Sequence, residues 1–541
     1  MHLCSQMTSN TPSSLRVEFR NVDHFQGHVP SFPDFKDVEE QQTVYPLKHM
    51  VNKDQKEKTK GKRADFYQLT DLYQRPLRVG ILSDFIRVPY ANGAIFQTRA
   101  LYQELRRYGQ KVTVVGPYDP DVSPEEMSMD AVALPSLPLH TYPGVFLPLP
   151  SASWVRDVKS WDFDLCYAQT TTLLVELGIW LRYAKGIPLL CVNTTHLIAA
   201  YDVLLPEKIS KIKAVHTILE KLFRRPYEKF FTYLYNQSDG LVVLSEGLRD
   251  YWQKLGVRVP IYVIPRTIQA DIFDRSIRGN PYLKLLGDKV QGLRLLCVGR
   301  HTREKSQDRV IRIFARNILS ACPEATLTLV GQGPDTDYYR RVACQLGVQD
   351  RVFFTGEVPF TDMLEYYSYG DVFVHASLSE TYGNVLGEAL WCGMPVVAFE
   401  DGMGASSQIK HGVNGILIQP GCSSEEQEQA DAVFGKAVLQ LASSPEARAS
   451  MGKTAASMAK EHVSSANIQQ RMVDAFMGAC QHRARSNMDS ARMNSPFYQL
   501  WLKWIHFGTW ISLSLGLFLL GLLRPSRVDF RKPHLHPSLY R

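Results

Sequence analysis

A chain of 541 residues is too long for one core of ordinary size, and 45% hydrophobic with 21% charged residues exclude a fibrous or wholly disordered molecule, so two or three folded domains are expected. The formal charge of +7 weakly favours anionic partners such as phosphates or a lipid surface, but no basic recognition motif accompanies it, which argues against nucleic acid. Nine cysteines without any Cys-x-x-Cys pair imply a reducing compartment.

Residues 1–75 mix acids, bases, prolines and polar residues without periodicity, so a mobile, disordered N-terminal tail is expected. Its Lys-rich run, 53–63, includes Asp54 and Glu57 and suits a solvated linker. From Leu77 onward, short apolar runs alternate with longer helical patterns, the signature of a doubly wound parallel α/β sheet. The pattern places strands at 78–82, 112–115, 165–168, 188–192, 240–244 and 261–264, with a helix such as 97–108 between them. These form a first domain over 76–270. Residues 271–292 carry Pro281, Gly287 and Gly292 and are expected to be an irregular hinge. A second series, 293–298, 326–330, 352–355, 371–375, 395–398 and 415–418, builds a domain over 293–481, closed by a helix at 465–481.

Two further stretches bear on membranes. Residues 505–523 carry no formal charge, and as a helix they would span about 28 Å, close to a bilayer's hydrocarbon thickness. Trp501, Trp504 and Trp510 suit one interface and Arg524, Arg527, Arg531 and Lys532 the other, which favours a C-terminal apolar membrane helix within 482–541 over a buried or in-plane one. Basic flanks on both sides leave its orientation open. The stretch 208–229 alternates lysines and arginines with apolar residues. Such a helix either rests on anionic lipid or buries its apolar face in the first domain.

The residues best suited to chemistry cluster after the strand at 371–375. A polar loop carries Glu380, and a helix opening near Gly383 directs free backbone N–H groups toward a ligand above the strand end, an arrangement that favours phosphate. Tyr382, Gly383 and Asn384 stand at that opening, and Glu388 lies one turn beyond Asn384 on the same face. Carboxylates there repel phosphate but suit sugar hydroxyls. Arg300 and Lys305, on the loop after the strand at 293–298, form a candidate cationic clamp for a diphosphate. Gly331 and Val358 lie on loops after the next two strands, and Gly93 lies between strand one and helix one, where glycine permits close backbone approach. His196 follows the strand at 188–192, at the carboxyl edge where open α/β sheets bind ligands. Arg266, in Ile264-Pro265-Arg266-Thr267, either reaches the cleft or pairs with a carboxylate at the surface beside the hinge.

The run Glu380-Thr381-Tyr382-Gly383-Asn384 through Glu388-Ala389, ending at Cys392-Gly393-Met394-Pro395, resembles the Glu-x7-Glu signature of the family 4 retaining glycosyltransferases, including bacterial and plastid glycolipid-forming members. Gly299-Arg300 and Glu304-Lys305 are similar to that family's Gly-Arg and Glu-Lys element. The resemblance covers roughly 77–480. It implies two facing Rossmann-like domains, the GT-B plan, and a retaining enzyme that uses a nucleoside diphosphate sugar, with uridine favoured over guanosine, and neither a cofactor nor an obligatory metal. It assigns Arg300 and Lys305 to the leaving diphosphate, Glu380 to sugar hydroxyls and Glu388 to the ribose. Gly331 and Val358 would then line the base pocket, and Gly93 would approach phosphate and acceptor. The family usually has His-Thr where this chain has Thr194-Thr195-His196, so either His196 supplies the imidazole or Thr194 stands in its place. With the apolar C-terminal run, the acceptor expected is a membrane lipid, and the enzyme is expected on the cytosolic face. A soluble or polysaccharide acceptor, a catalytically silent nucleotide-sugar sensor and a GT-B epimerase are the alternatives.

Overall fold

The computed structural model describes residues 66–84, 93–118, 129–138, 146–148, 161–170, 173–193, 225–333 and 335–486. Residues 1–65, His196, most of the basic stretch 208–229 and the apolar run 505–523 lie outside them.

The tail expected through residue 75 gives way to packed structure at Phe66. Tyr67–Tyr73 is helical, and Phe66 and Leu69 are buried in one cluster with Val79, Tyr102 and Phe476. Gln110 fastens this helix to the domain: its Nε2 donates to Phe66 O at 3.1 Å and to Thr70 Oγ1 at 2.9 Å, while its Oε1 accepts from Leu77 N at 2.8 Å.

The first sheet contains β1 (Arg78–Ser83), β2 (Lys111–Pro117), β3 (Ala131–Leu134), β6 (Leu165–Gln169), β7 (Leu189–Asn193), β8 (Gly240–Val243) and β9 (Ile261–Val263). Their order is β3-β2-β1-β6-β7-β8-β9, with every neighbouring pair parallel. Helices cover both faces, so β6, β7 and β8 are buried throughout and read as continuous rather than alternating apolar runs. The sequence pattern missed β3 and the antiparallel hairpin β4 (Ser136–Pro138) with β5 (Phe146–Pro148), where closely spaced prolines interrupt the strand signal.

The second sheet contains β10 (Arg294–Val298), β11 (Thr326–Val330), β12 (Val352–Gly356), β13 (Val372–His375), β14 (Val396–Phe399) and β15 (Gly415–Ile418). It is also parallel throughout, in the order β12-β11-β10-β13-β14-β15. The two sheets share a clamp at the edge where their strands begin. Arg78 on β1 grips Asp164, which precedes β6, at 2.8 Å; Arg294 on β10 grips Asp371, which precedes β13, at 2.9 Å. Asp164 also pairs with Arg75 at 2.7 Å. Burial pulls its carboxyl upward, but the two guanidinium groups and the Arg78 N–H outweigh that and hold it at about 2.

The stretch 271–292, expected to be an irregular hinge, carries regular structure. It holds the short helix Pro281–Leu286 and a 3-10 turn, Gly287–Gln291, and it docks on the second domain. Arg275 forms a two-pronged pair with Glu365 at 2.6 and 2.7 Å, and Tyr282 is fully buried with its OH donating to Tyr366 O. Trp391 Nε1 and Lys460 Nζ both reach Asp274, each at 2.9 Å, so this segment also braces the end of the helix Asn384–Trp391.

The last described helix, Ser465–Arg485, returns to the first domain. Met472, Val473, Phe476 and Ala479 share a buried cluster with Val79, Ile81, Leu165 and Leu190. Burying Phe476 in this way is worth roughly 2–3 kcal/mol. At its end, His482 Nδ1 lies 3.1 Å from Asp239 Oδ1, a carboxylate also held by Arg182 at 2.8 Å. Cys166, Cys191, Cys297 and Cys480 are buried as free thiols.

Candidate active site

The site is assembled at the carboxyl edge of the second sheet. After β10 the chain turns through Gly299 and Arg300 into a 3-10 turn, Arg303–Lys305, and the helix Gln307–Ile313. After β13 it runs through Ser377 and Glu380 to Gly383, which caps the helix Asn384–Trp391 from the left-handed region at φ 78°. Because β10 and β13 are parallel neighbours, both loops emerge side by side.

Lys305 Nζ lies 2.5 Å from Glu380 Oε1, and His375 Nε2 reaches the same oxygen at 3.1 Å. Glu380 and His375 are both buried. Burial raises the Glu380 pKa, but the Lys305 charge and the His375 contact outweigh it, so the carboxyl is held well below the usual range and stays ionised. Glu388 differs. It is buried with Tyr367 OH donating to its Oε2 at 2.7 Å, and with no cation among the described residues to offset burial its pKa is pushed up to about 7.

The backbone of the Glu380 loop is braced from behind. Gly404 N donates to Glu380 O at 2.8 Å, and Gln408 Nε2 donates to Tyr382 O and, at 3.3 Å, to Gly383 O. A Cβ at Gly404 would come within 2.6 Å of the Glu380 and Tyr382 carbonyl oxygens, so only glycine fits this contact. Asp401 organises the brace by accepting from the N–H groups of Met403, Ala405 and Ser406. On its outer side stands the first domain: a Cβ at Gly247, in the helix Glu246–Lys254, would meet Gly402 O at 2.0 Å.

The remaining residues singled out in the sequence are distributed as follows. Arg300 is exposed on the loop after β10 and forms no ion pair among the described residues. Gly331 sits at φ 128°, where a Cβ would lie 2.1 Å from Gly299 O, so this loop and the Arg300 loop touch backbone to backbone. Val358 is half-buried after β12. Tyr382 is buried, and Asn384 Oδ1 accepts from Arg266 Nη1 at 3.4 Å. Gly93 opens the helix Gly93–Arg107 after β1. The structure thus gathers Lys305, Glu380, Tyr382, Gly383 and Asn384, keeps Glu388 one turn deeper, and does not bring Arg300 into contact with either glutamate.

Sequence reasoning missed His375, Tyr367 and Gln408. A signal existed for the first: His375 ends an otherwise wholly apolar buried strand, Val372–His375, where an unpartnered imidazole would be costly. Tyr367 and Gln408 left none, since their roles depend on the packing of separate elements. Among the described residues no cluster of His, Cys, Asp or Glu has metal-binding geometry, and no helix is long and apolar enough to cross a membrane.

Two family models match this architecture: "Glycosyltransferase Family 4" over residues 91–271 and "Glycosyl transferases group 1" over residues 287–458. The chain is similar to the alpha-monoglucosyldiacylglycerol synthase of Streptococcus pneumoniae, 29% identical over 332 residues that cover 60% of this chain and 71% of that one. The enzyme of the same name from Acholeplasma laidlawii is 23% identical, over 63% and 85% of the two chains. Among solved structures, HepE of Anabaena in complex with UDP shares the fold with a TM-score of 0.56 at 20% identity, covering 74% of this chain and 100% of that one. The chain belongs to the family 4 glycosyltransferases, and it is a glycosyltransferase of the two-domain GT-B plan.

Proposed function

We propose that this protein is a retaining enzyme that moves a sugar from a UDP-sugar to a hydroxyl group of a membrane lipid at the cytosolic face. The observation that carries the reading is the ionised Glu380, held on one oxygen by Lys305 and His375 at the mouth of the Asn384–Trp391 helix. No described residue bonds to Oε2, which is left to accept hydrogen bonds from sugar hydroxyls and so to position the donor rather than attack it. Negative charge grows on the diphosphate as the bond to the sugar breaks. An ammonium group has three donors, so Lys305 can keep Glu380 and still offer N–H to that charge, with Arg300 and the helix N-terminus adding to it. Glu388 serves the ribose, and Gly331 and Val358 approach the base. His196 and Gly93 belong to the acceptor side.

A lipid acceptor is supported by the relatives' names as glucosyldiacylglycerol synthases and by the apolar run 505–523, which we read as a membrane anchor. The test incubates the full chain and membranes with a panel of labelled nucleotide sugars, then separates organic from aqueous phases. Label entering the organic phase from a UDP-sugar supports the reading. Label that stays aqueous on a polymer argues for a soluble acceptor, and a changed sugar still on its nucleotide argues for an epimerase.

A further inference from the structure

Arg266 lies in the segment that follows β9 and carries the chain out of the first domain. Its Nη1 makes one long hydrogen bond, 3.4 Å, to Asn384 Oδ1 on the second domain, and its Nε is fully buried with no partner among the described residues. Among the described residues no carboxylate lies within ion-pair distance of it. Other arginines in this molecule are treated differently: Arg182 is clamped to Asp239, Arg275 to Glu365, Arg294 to Asp371 and Arg309 to Asp431. Glu380 acts on the Arg266 charge, as do Tyr382 and Tyr167, but the Oε1 of that carboxylate is already occupied by Lys305 and His375. Burial pushes the guanidinium down to about 10, which marks how poorly its charge is compensated.

Arg266 is half-buried, with Nε shut off from water and no counter-ion among the described residues, a costly arrangement for a charge, and its planar fork of donors matches the oxygens of a phosphoryl group. We propose that Arg266 is a phosphoryl-binding residue that the first domain contributes to the cleft, completing its pairing only when ligand is bound. This rests on the donor reading above. The phosphoryl group belongs either to the donor diphosphate or to a phosphorylated lipid headgroup. In both cases the ligand joins the two domains through Arg266 on one side and the Asn384 helix on the other.

The test uses the full chain in detergent, as wild type, Arg266→Gln and Arg266→Lys. Calorimetric titration with UDP, uridine and inorganic pyrophosphate is combined with transfer to diacylglycerol and to phosphatidylinositol. For a donor contact, Arg266→Gln weakens UDP and pyrophosphate by about tenfold or more, leaves uridine unchanged, and is partly rescued by Arg266→Lys. For an acceptor contact, UDP affinity is unchanged and transfer to phosphatidylinositol alone falls by a similar factor. Unchanged UDP, pyrophosphate and phosphatidylinositol readings together overturn the proposal. A wild type that binds pyrophosphate through Arg266 but not UDP would overturn the UDP-sugar donor reading while leaving this one standing. Folding is followed separately: removing a half-buried charge that has no ion pair among the described residues leaves the ligand-free melting temperature equal or higher, and a clear fall would show that Arg266 has a structural partner and overturn the proposal.

Discussion

Lys305 Nζ sits 2.5 Å from Glu380 Oε1 although the two residues are 75 positions apart, and this contact joins the loops after β10 and β13 into one charged unit. Glu380→Gln keeps the shape but loses the charge that fixes Lys305. We expect kcat to fall by about 100-fold while the UDP dissociation constant changes by less than about threefold. Lys305→Met should weaken both. The double variant should be no worse than the poorer single one, because the pair acts together; additive losses would separate the two roles.

Glu388 makes stability depend on pH. Its folded pKa, about 7, exceeds the ordinary value of 4.5, so the fold favours the protonated form. The penalty is absent below pH 4.5, grows as pH rises through 7, and approaches about 3 kcal/mol above it. Glu388→Gln should therefore stabilise the protein at pH 8 and leave it unchanged at pH 4, as read by urea unfolding. Tyr367→Phe removes the hydrogen bond that favours the ion and should move the wild-type transition to higher pH.

Asp164 has the opposite sign. Its pKa falls from 3.8 to about 2 on folding, so its contribution is present above pH 4 and is lost as pH drops toward 2. At pH 7 that contribution is about 2 kcal/mol. Asp164→Asn should lower the unfolding free energy by roughly that amount at neutral pH and flatten the acid limb, while the affinity for UDP stays the same.

The brace behind Glu380 leaves no room for a methyl group at Gly404, where a Cβ would lie 2.6 Å from the Glu380 carbonyl oxygen. Gly404→Ala should lower kcat by about tenfold or more by shifting Glu380, with a smaller effect on uridine affinity. Gly247→Ala meets Gly402 O from the first domain and tests whether contact between the domains is transmitted to the same loop. A kcat unchanged in both variants would show that the loop is positioned by other contacts.

Deletion after Ser495 removes the apolar run 505–523. The truncated protein should leave the membrane fraction on sedimentation yet transfer sugar to a detergent-dispersed lipid at near full rate. Continued sedimentation would move the membrane contact to the catalytic domains.

Much of the fold was legible because a parallel sheet covered on both faces leaves a local trace, a short apolar run, wherever a strand occurs. β11 and β15 fall where that trace placed them, whereas β3 and the β4–β5 hairpin were hidden by prolines. The segment 271–292 looked irregular because Gly287 and Pro281 are helix punctuation, yet docking of Tyr282 and Arg275 on the second domain holds short helices there. Of the candidate site, the Glu380 to Glu388 spacing and the cations were visible as local motifs. His375 was hidden within a strand that otherwise reads as core.

The sequence by itself determined most of the strands of the two parallel sheets, where their loops carry acids and bases, and that a nucleotide-sugar signature follows β13. Only the tertiary structure decided that Lys305 and His375 share one oxygen of Glu380 and that, among the described residues, no cation pairs with Glu388 and no carboxylate with Arg266. The reason is physical. Periodicity records which residues are buried within an element, whereas ionisation and pairing depend on which loops parallel strands deliver to the same edge, and those partners are distant in the chain.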